Sequence, residues 1–256
     1  MKVFIVNLKK AQEKRALMTE QLIKAGVDNY EFIEAVDGNT LSLEYIYENV
    51  YDYPACSLTQ GEIGCALSHL NIYKVMVRER ISSAIILEDD IVIPDSFTAF
   101  MGTLQKSLDT PESKVISLGR ANKLTLRRRY SSFVDTSTEY GEYTAVTAFG
   151  TYAYAINIAA ANSLTKKLLP IKYEADMFIH FRENGWLNTF NVIYPQYIRV
   201  VENHEEQSDI YPERKKLKLL RHQYKKNKLL KNRGFLIRFK NRFKRILWKF
   251  RQVRSE

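Results

Sequence analysis

Short apolar runs and longer amphipathic stretches alternate along the first 170 residues of this chain. Val3 to Leu8 is a continuous β-rich run, and Ala11 to Ala25 follows with helical spacing at Ala16, Leu17, Leu22 and Ile23 until Gly26 stops it. Tyr30 to Val36 predicts a second strand that ends at an Asp37-Gly38 turn. Gln60 to Arg80 predicts a long helix with Ile63, Leu67, Leu70 and Val75 on its apolar side, and Ala84 to Leu87 a short buried strand. Ser96 to Leu108 is helical in pattern and Val115 to Leu118 is another short strand. Thr147 to Ile156 is a β-rich run leading into a helix over Ala159 to Leu169. Asn122 to Gly141, with Arg127-Arg128-Arg129 and several Ser and Thr, predicts an irregular or mobile excursion.

Such alternation predicts an α/β fold with an open, mostly parallel sheet flanked by helices. In sheets of this kind ligands collect beyond the carboxyl ends of the strands, which is where Asn7, Asp37 and the run Glu88-Asp89-Asp90 fall. The strand Ala84 to Leu87 runs straight into those three acids, and adjacent like charges repel unless a cation neutralises them. Hard oxygen ligands suit Mg²⁺ or Mn²⁺, with substrate phosphates completing the coordination shell. Bound there, such an ion stabilises charge on a departing nucleotide. Two other readings of the triplet stay open: a solvated strand end or helix cap before Pro94-Asp95-Ser96, and the metal centre of a phosphohydrolase acting on a nucleotide-sugar.

Composition changes this picture only at the C-terminal end. The net charge is +10, but 18 of the 39 basic residues and only 2 of the 29 acidic ones lie between Glu213 and Glu256, leaving the first 212 residues at −6. A nucleic-acid-binding module would need a basic body, so no specific nucleic-acid partner is expected. The division expected is a domain over 1–212 and a basic tail over 213–256. Within the tail, Phe235, Phe239, Phe243, Ile246, Leu247, Phe250 and Val253 recur at helical spacing with Lys and Arg between them. The pattern is that of a cationic amphipathic helix suited to an anionic membrane surface, with Trp248 at the interface. The same apolar stripe could instead pair two copies of the chain as a homodimer. Cys56 and Cys65 lack the spaced framework of a secreted disulfide protein and are expected as free thiols. No signal-peptide run or membrane-spanning stretch is visible, so the expected location is cytoplasmic, peripheral on a membrane.

Leu58-Thr59-Gln60-Gly61-Glu62-Ile63-Gly64-Cys65-Ala66-Leu67-Ser68-His69, followed about twenty residues later by Ile85-Ile86-Leu87-Glu88-Asp89-Asp90, resembles the signature of glycosyltransferase family 25. Val3 to Leu8 with Arg15, Phe32 to Gly38, and Gly150 to Tyr154 are similar to that pattern in order and spacing, so the likeness covers about residues 1 to 210. The resemblance implies a GT-A type nucleotide-diphospho-sugar transferase fold. It also implies an inverting hexosyltransferase, β-galactosyl in the first instance, that uses a UDP-sugar with Mn²⁺ or Mg²⁺. The acceptor implied is a lipooligosaccharide or lipopolysaccharide at the inner face of a bacterial inner membrane. Asp90, with Glu88, would ligate the metal; Glu at the first position departs from an Asp-X-Asp pattern and places the weight on Asp90.

For the donor, Asn7, Leu8 and Arg15 lie at the first strand end and first helix. Asp37 could bond base or ribose, and Glu88 and Asp89 border the diphosphate. Arg15 as a solvated helix charge and Asp37 as a turn residue are the plainer alternatives. Inversion by direct displacement needs a carboxylate to take the acceptor proton, and Asp176 and Asp209 are the candidates. Asp176 as a cap for a helix over Met177 to Glu183 is the alternative. His204 is a weaker metal candidate; Ser68 and His69 fall inside a helix, where Ser68 has no nucleophile elbow around it and His69 stays open between a buried structural and a functional histidine.

Overall fold

The computed structural model describes residues 1–125, 132–135, 138–148, 150–201, 211–230 and 252–254. Asp209, His204, Arg127 to Arg129 and nearly all of the predicted tail helix lie outside those residues. The chain opens with strand β1 (Lys2–Asn7), helix α1 (Gln12–Lys24) and β2 (Tyr30–Glu34). Helices α2 (Leu43–Asn49) and α3 (Gln60–Arg78) precede β3 (Ser83–Glu88), the two-residue β4 (Ile91–Val92), α4 (Phe97–Leu108) and β5 (Lys114–Ser117). Then come β6 (Ala121–Thr125), β7 (Ser132–Asp135), β8 (Thr138–Ala148), β9 (Ala153–Asn157), α5 (Ile158–Lys167), α6 (Phe178–Glu183), β10 (Thr189–Tyr194) and β11 (Arg199–Val200). Helix α7 (Tyr211–Tyr224) continues into a π-helical turn over 225–230, and β12 (Gln252–Arg254) is the last described element.

Ten of these strands form one sheet in the order β12-β6-β8-β10-β5-β9-β3-β1-β2, with β7 beside β8. Strand β1 is parallel to both neighbours, β2 and β3, and β5 is parallel to β10. β8, β9 and β12 oppose their neighbours, so the other strands of the sheet all run one way, and the architecture is the mostly parallel α/β sheet expected. Its central strands are buried on both faces, as their unbroken apolar runs require. On β1 and β3 the pleat sends Phe4, Val6, Ala84 and Ile86 into a core with α3 and α5. Val3, Ile5, Ile85 and Leu87 enter a second core with α1 and α4.

Four expectations need correction. The stretch from Asn122 to Gly141 is not an irregular excursion where it is described, because β6, β7 and the start of β8 pair there and extend the sheet. The run Thr147 to Ile156 is two elements, the end of β8 and β9, because Gly150 at φ +96° breaks it in a conformation that side-chain-bearing residues rarely adopt. On α1 the buried residues are Met18 and Leu22, while Leu17 and Ile23 are exposed: the turn over the sheet is set one position away from the expected stripe. In the tail, Val253 belongs to strand β12, paired with Leu124, rather than to a helix.

Two glycines fix how α3 meets the sheet. A Cβ on Gly38 would lie 1.7 Å from the Gln60 carbonyl oxygen, and one on Gly64 would lie 2.4 Å from that of Val36, so the loop after β2 and the start of α3 touch backbone to backbone. Ser68 locks the same contact. Its hydroxyl accepts from Val36 N at 2.8 Å and donates to the Gly64 carbonyl, which is a structural task and agrees with its rejection as a nucleophile. Thr59 and Glu62 close a capping box at the first turn of α3.

Candidate active site

Strand register builds the site. β1 and β3 run parallel with Val6 opposite Glu88, so Asn7 comes level with Asp89, and its amide donates to Asp89 Oδ2 at 2.7 Å. The same amide nitrogen also donates to the Ala11 carbonyl, which ties the strand end to the start of α1. One turn into α1, Lys14 stands 3.6 Å from Asp89 Oδ1. Strand β9 runs antiparallel to β3, so its first residues arrive at the carboxyl end of β3: Glu88 N donates to the Tyr152 carbonyl at 2.9 Å, and Thr151 donates its hydroxyl to Glu88 Oε1 at 2.5 Å.

From beneath, α3 supplies two more groups. His69 is fully buried; its Nδ1 meets the Tyr154 hydroxyl at 2.8 Å and its Nε2 faces Glu88 Oε1 at 3.5 Å. Cys65, one turn earlier, has its sulfur 4.0 Å from the Thr151 hydroxyl, and the ligand atoms of Cys65, His69 and Glu88 all lie within 4.8 Å of one another. Burial, then the nearby Glu88 charge, push the Cys65 thiol well above its ordinary value, so it stands here as a neutral group and not as a nucleophile. Both cysteines are free thiols, as expected.

The acids differ in their electrostatics. Burial raises the Glu88 carboxyl, yet His69 first, then Thr151 and Lys14, outweigh it and hold the group below the usual carboxylate range. For Asp89 burial wins: Asn7 and Lys14 pull down, Glu88 pushes up, and the net displacement is upward. Asp90 is half-buried at the turn after β3, and its carbonyl accepts from Val201 N at 2.8 Å, tying the triplet to the strand pair of β4 and β11. Tyr152 closes one side of the cluster. Its ring lies where a side chain on Gly119 or Gly150 would collide with it, and its hydroxyl accepts from Arg120 N at 2.6 Å. Burial raises its phenol first, and the charges of Glu88 and Asp90 raise it further.

Asp176 belongs to the same neighbourhood. It does not cap α6, whose N-cap is Met177 without a side-chain bond. Instead its Oδ2 accepts from Gly150 N at 3.0 Å, one residue from the Thr151 that holds Glu88, and its charge is felt at Cys65. Of the donor-side residues predicted from sequence, Asn7 and the three strand-end acids converge. Leu8 is half-buried at the strand exit, with its carbonyl accepting from Ala11 N. Arg15 lies apart from the acids, its guanidinium 4.1 Å over the Phe32 ring on an exposed side of α1. Asp37 turns onto its own loop, accepting from Asn39 N and pairing with Lys10 at 3.1 Å. That Lys10 contact first, then Asn39, lowers its carboxyl.

Sequence reasoning missed Lys14, Tyr152 and the contact of His69 with Glu88. Lys14 sits in the first turn of α1, just after the loop that leaves the strand-end Asn7, and reaches back to Asp89 from there. Tyr152 depends on the antiparallel β9, whose direction no periodicity encodes, and the His69 contact on how α3 packs over β3.

Comparison with known proteins follows this geometry. Residues 1–179 match the model of "Glycosyltransferase family 25 (LPS biosynthesis protein)". A "Glycosyltransferase 25 family member" of Drosophila melanogaster is 29% identical over 206 residues, covering 74% of this chain and 32% of the relative. "Procollagen galactosyltransferase 1-A" of Xenopus laevis is 34% identical over 128 residues, covering 46% of this chain and 21% of that protein. This chain therefore spans about a third or less of the length of these curated relatives. A solved structure from Bacillus anthracis, provisionally named a glucose-1-phosphate thymidylyltransferase, overlays at 10% identity and covers 86% of this chain and 95% of its own. Its TM-score of 0.40 is too low for that likeness to carry an argument. The matched span contains the strand-end acids, the Gly61 to His69 helix and Asp176, and the chain belongs to glycosyltransferase family 25.

Proposed function

We propose that this chain is an inverting, metal-assisted hexosyltransferase of GT-A type that moves galactose or glucose from a UDP-sugar to a lipooligosaccharide or lipopolysaccharide acceptor. One observation carries the reading: three carboxylates at the carboxyl end of a central strand, two of them pinned by Asn7, Thr151 and His69, with Asp176 anchored to the adjoining loop. The donor set fits Mn²⁺ or Mg²⁺, being made of carboxylate oxygens on a rigid strand end. Asp90 would hold the ion, with Glu88 beside it, and when bound the ion supplies charge stabilisation for a departing UDP.

The chain's own residues then divide the work. Asn7 and Lys14 orient the Asp89 carboxylate, which would border the diphosphate of the donor. His69 and Thr151 keep Glu88 ionised and fixed. In the transfer, the acceptor oxygen bonds to the anomeric carbon as the bond from that carbon to the phosphate oxygen breaks, and Asp176 takes the acceptor hydroxyl proton. The basic tail, through its Lys and Arg and its apolar stripe, contributes nearness to a lipid-linked acceptor by resting on an anionic bilayer surface.

Release of UDP from a panel of UDP-sugars, with and without Mn²⁺ and with and without truncated lipooligosaccharide, tests the proposal. Release stimulated by both additions is expected. Release that ignores the acceptor would replace transfer with hydrolysis of the nucleotide-sugar.

A further inference from the structure

Helix α7 lies beyond the family-matched residues 1–179, yet it sends one arginine into the interior. Arg221 is 5% exposed. Its Nε and Nη2 donate to the Ser57 carbonyl at 3.0 and 2.9 Å, and its Nη1 donates to Glu62 Oε1 at 2.5 Å and to Glu174 Oε1 at 3.4 Å. In the turn that follows, Lys225 reaches Glu174 at 2.6 Å, and Tyr224 donates to Asp52 at 3.0 Å. Glu62 and Glu174 are thus two buried acids touching one nitrogen. Lys225 adds a second cation to Glu174, so Arg221 is the group that joins the two acids.

What these two acids carry gives the contact its meaning. Glu62 is the capping-box residue at the first turn of α3, the helix that brings Cys65 and His69 under Glu88. Glu174 opens the turn closed by its carbonyl with Met177 N at 3.2 Å, and Asp176 lies within that turn, its carboxylate on Gly150 N. A single guanidinium therefore spans the loop before α3, the start of α3 and the Asp176 turn. A planar fork with several donors can do this; a point charge cannot.

We infer that Arg221 is a positioning residue for the transfer reaction, holding the Asp176 turn in register with the start of α3. By this, α7 belongs to the working site and is more than the root of the basic tail. The inference rests on the transferase reading above.

The test uses the full chain with Arg221→Ala, Arg221→Lys and Glu174→Gln. It follows turnover of UDP-galactose or UDP-glucose, whichever the panel selects, and amide hydrogen exchange in parallel. Arg221→Ala should lower kcat on the order of 100-fold with donor KM nearly unchanged, the size of effect that a small misplacement of a reacting group produces. Arg221→Lys should recover part of that loss. Glu174→Gln, which leaves Arg221 on Ser57 and Glu62, should lower kcat by roughly tenfold. Exchange should quicken at 171–177 and 57–65 in Arg221→Ala, and at 171–177 alone in Glu174→Gln, with β1 and β3 unaffected. The exchange measurement needs no donor, so it holds even if the transferase reading fails. Loss of protection confined to 211–230, or unaltered kcat in a folded Arg221→Ala protein, would overturn the inference. Should Arg221→Ala not fold, the same two readings on Glu174→Gln decide it.

Discussion

Buried acids meet two different fates in this molecule. At the end of β3, Glu88 and Asp89 are held by an amide, a hydroxyl and an imidazole, with Lys14 at 3.6 Å, and their side chains keep 28% and 15% of their exposure. In the interior, Glu142 is paired with Lys114 at 2.8 Å and also bonded to Asn191, while Glu174 is paired with Lys225 and Arg221. Burial pushes Glu88, Asp89 and Glu174 toward protonation, so the partners set the sign. Asp89 ends displaced upward, Glu88 and Glu174 downward. Acids that the chain saturates with its own cations in the interior are structural, whereas Glu88 and Asp89 stay partly exposed at the strand end, where their charge is available to a ligand.

The sharpest way to break this contrast is to remove one interior cation. Lys114→Ala removes the cation 2.8 Å from the buried Glu142 carboxylate and should cost about 3–5 kcal/mol of stability. Urea unfolding would read this, while kcat per folded molecule stays as in the parent; a stable variant would mean that the interior pair carries no structural weight. The complementary change is Asp90→Asn, which should reduce kcat by about 10²- to 10³-fold, the several kcal/mol that charge stabilisation of a leaving group supplies. Its melting temperature should barely move. A large loss of stability there would place Asp90 with the structural acids. Next in size is Asn7→Ala. It deletes the 2.7 Å bond to Asp89 and should raise the donor KM roughly tenfold, since a hydrogen bond to a charged group is worth about 1.5–3 kcal/mol.

The parts of the fold legible in the sequence are those whose hydrophobic rhythm is local. β1, α3, β3, α4 and α5 lie within a few residues of their expected bounds, because an apolar run or a 3.6-residue stripe names the element without reference to its neighbours. Thr59 and Glu62 give the start of α3 through their own capping box, and the strand-end position of Asn7 and Glu88 follows from the βα order. Direction and pairing were not legible. β10 lies inside the sheet between β5 and β8, yet Thr189 to Tyr194 carries no marker of that place. The reversal of β9 is set by long-range packing of Tyr154 and Ile156, and with it come Thr151, Tyr152 and Asp176 at the site. Arg221 was hidden for another reason: among so many basic residues in the tail, one buried guanidinium has the same sequence signature as a solvated one.

The smallest effect is also the one that measures the contrast most directly. Burial pushes the Glu174 carboxyl up, but Lys225 chiefly, with Arg221, brings it below its ordinary 4.5. An acid whose folded-state value is depressed stabilises the fold fully above its unfolded value and loses that contribution as pH falls through the folded one. Melting temperature followed from neutral pH into acid should therefore fall more steeply below about pH 4.5 in the parent than in Glu174→Gln, which has no proton to take up there. Equal slopes would mean that the Arg221 and Lys225 contacts do not favour the ionised acid. In that case Glu174 would stand with Asp89 as an acid whose burial prevails, and its two cations would no longer mark it as a saturated carboxylate.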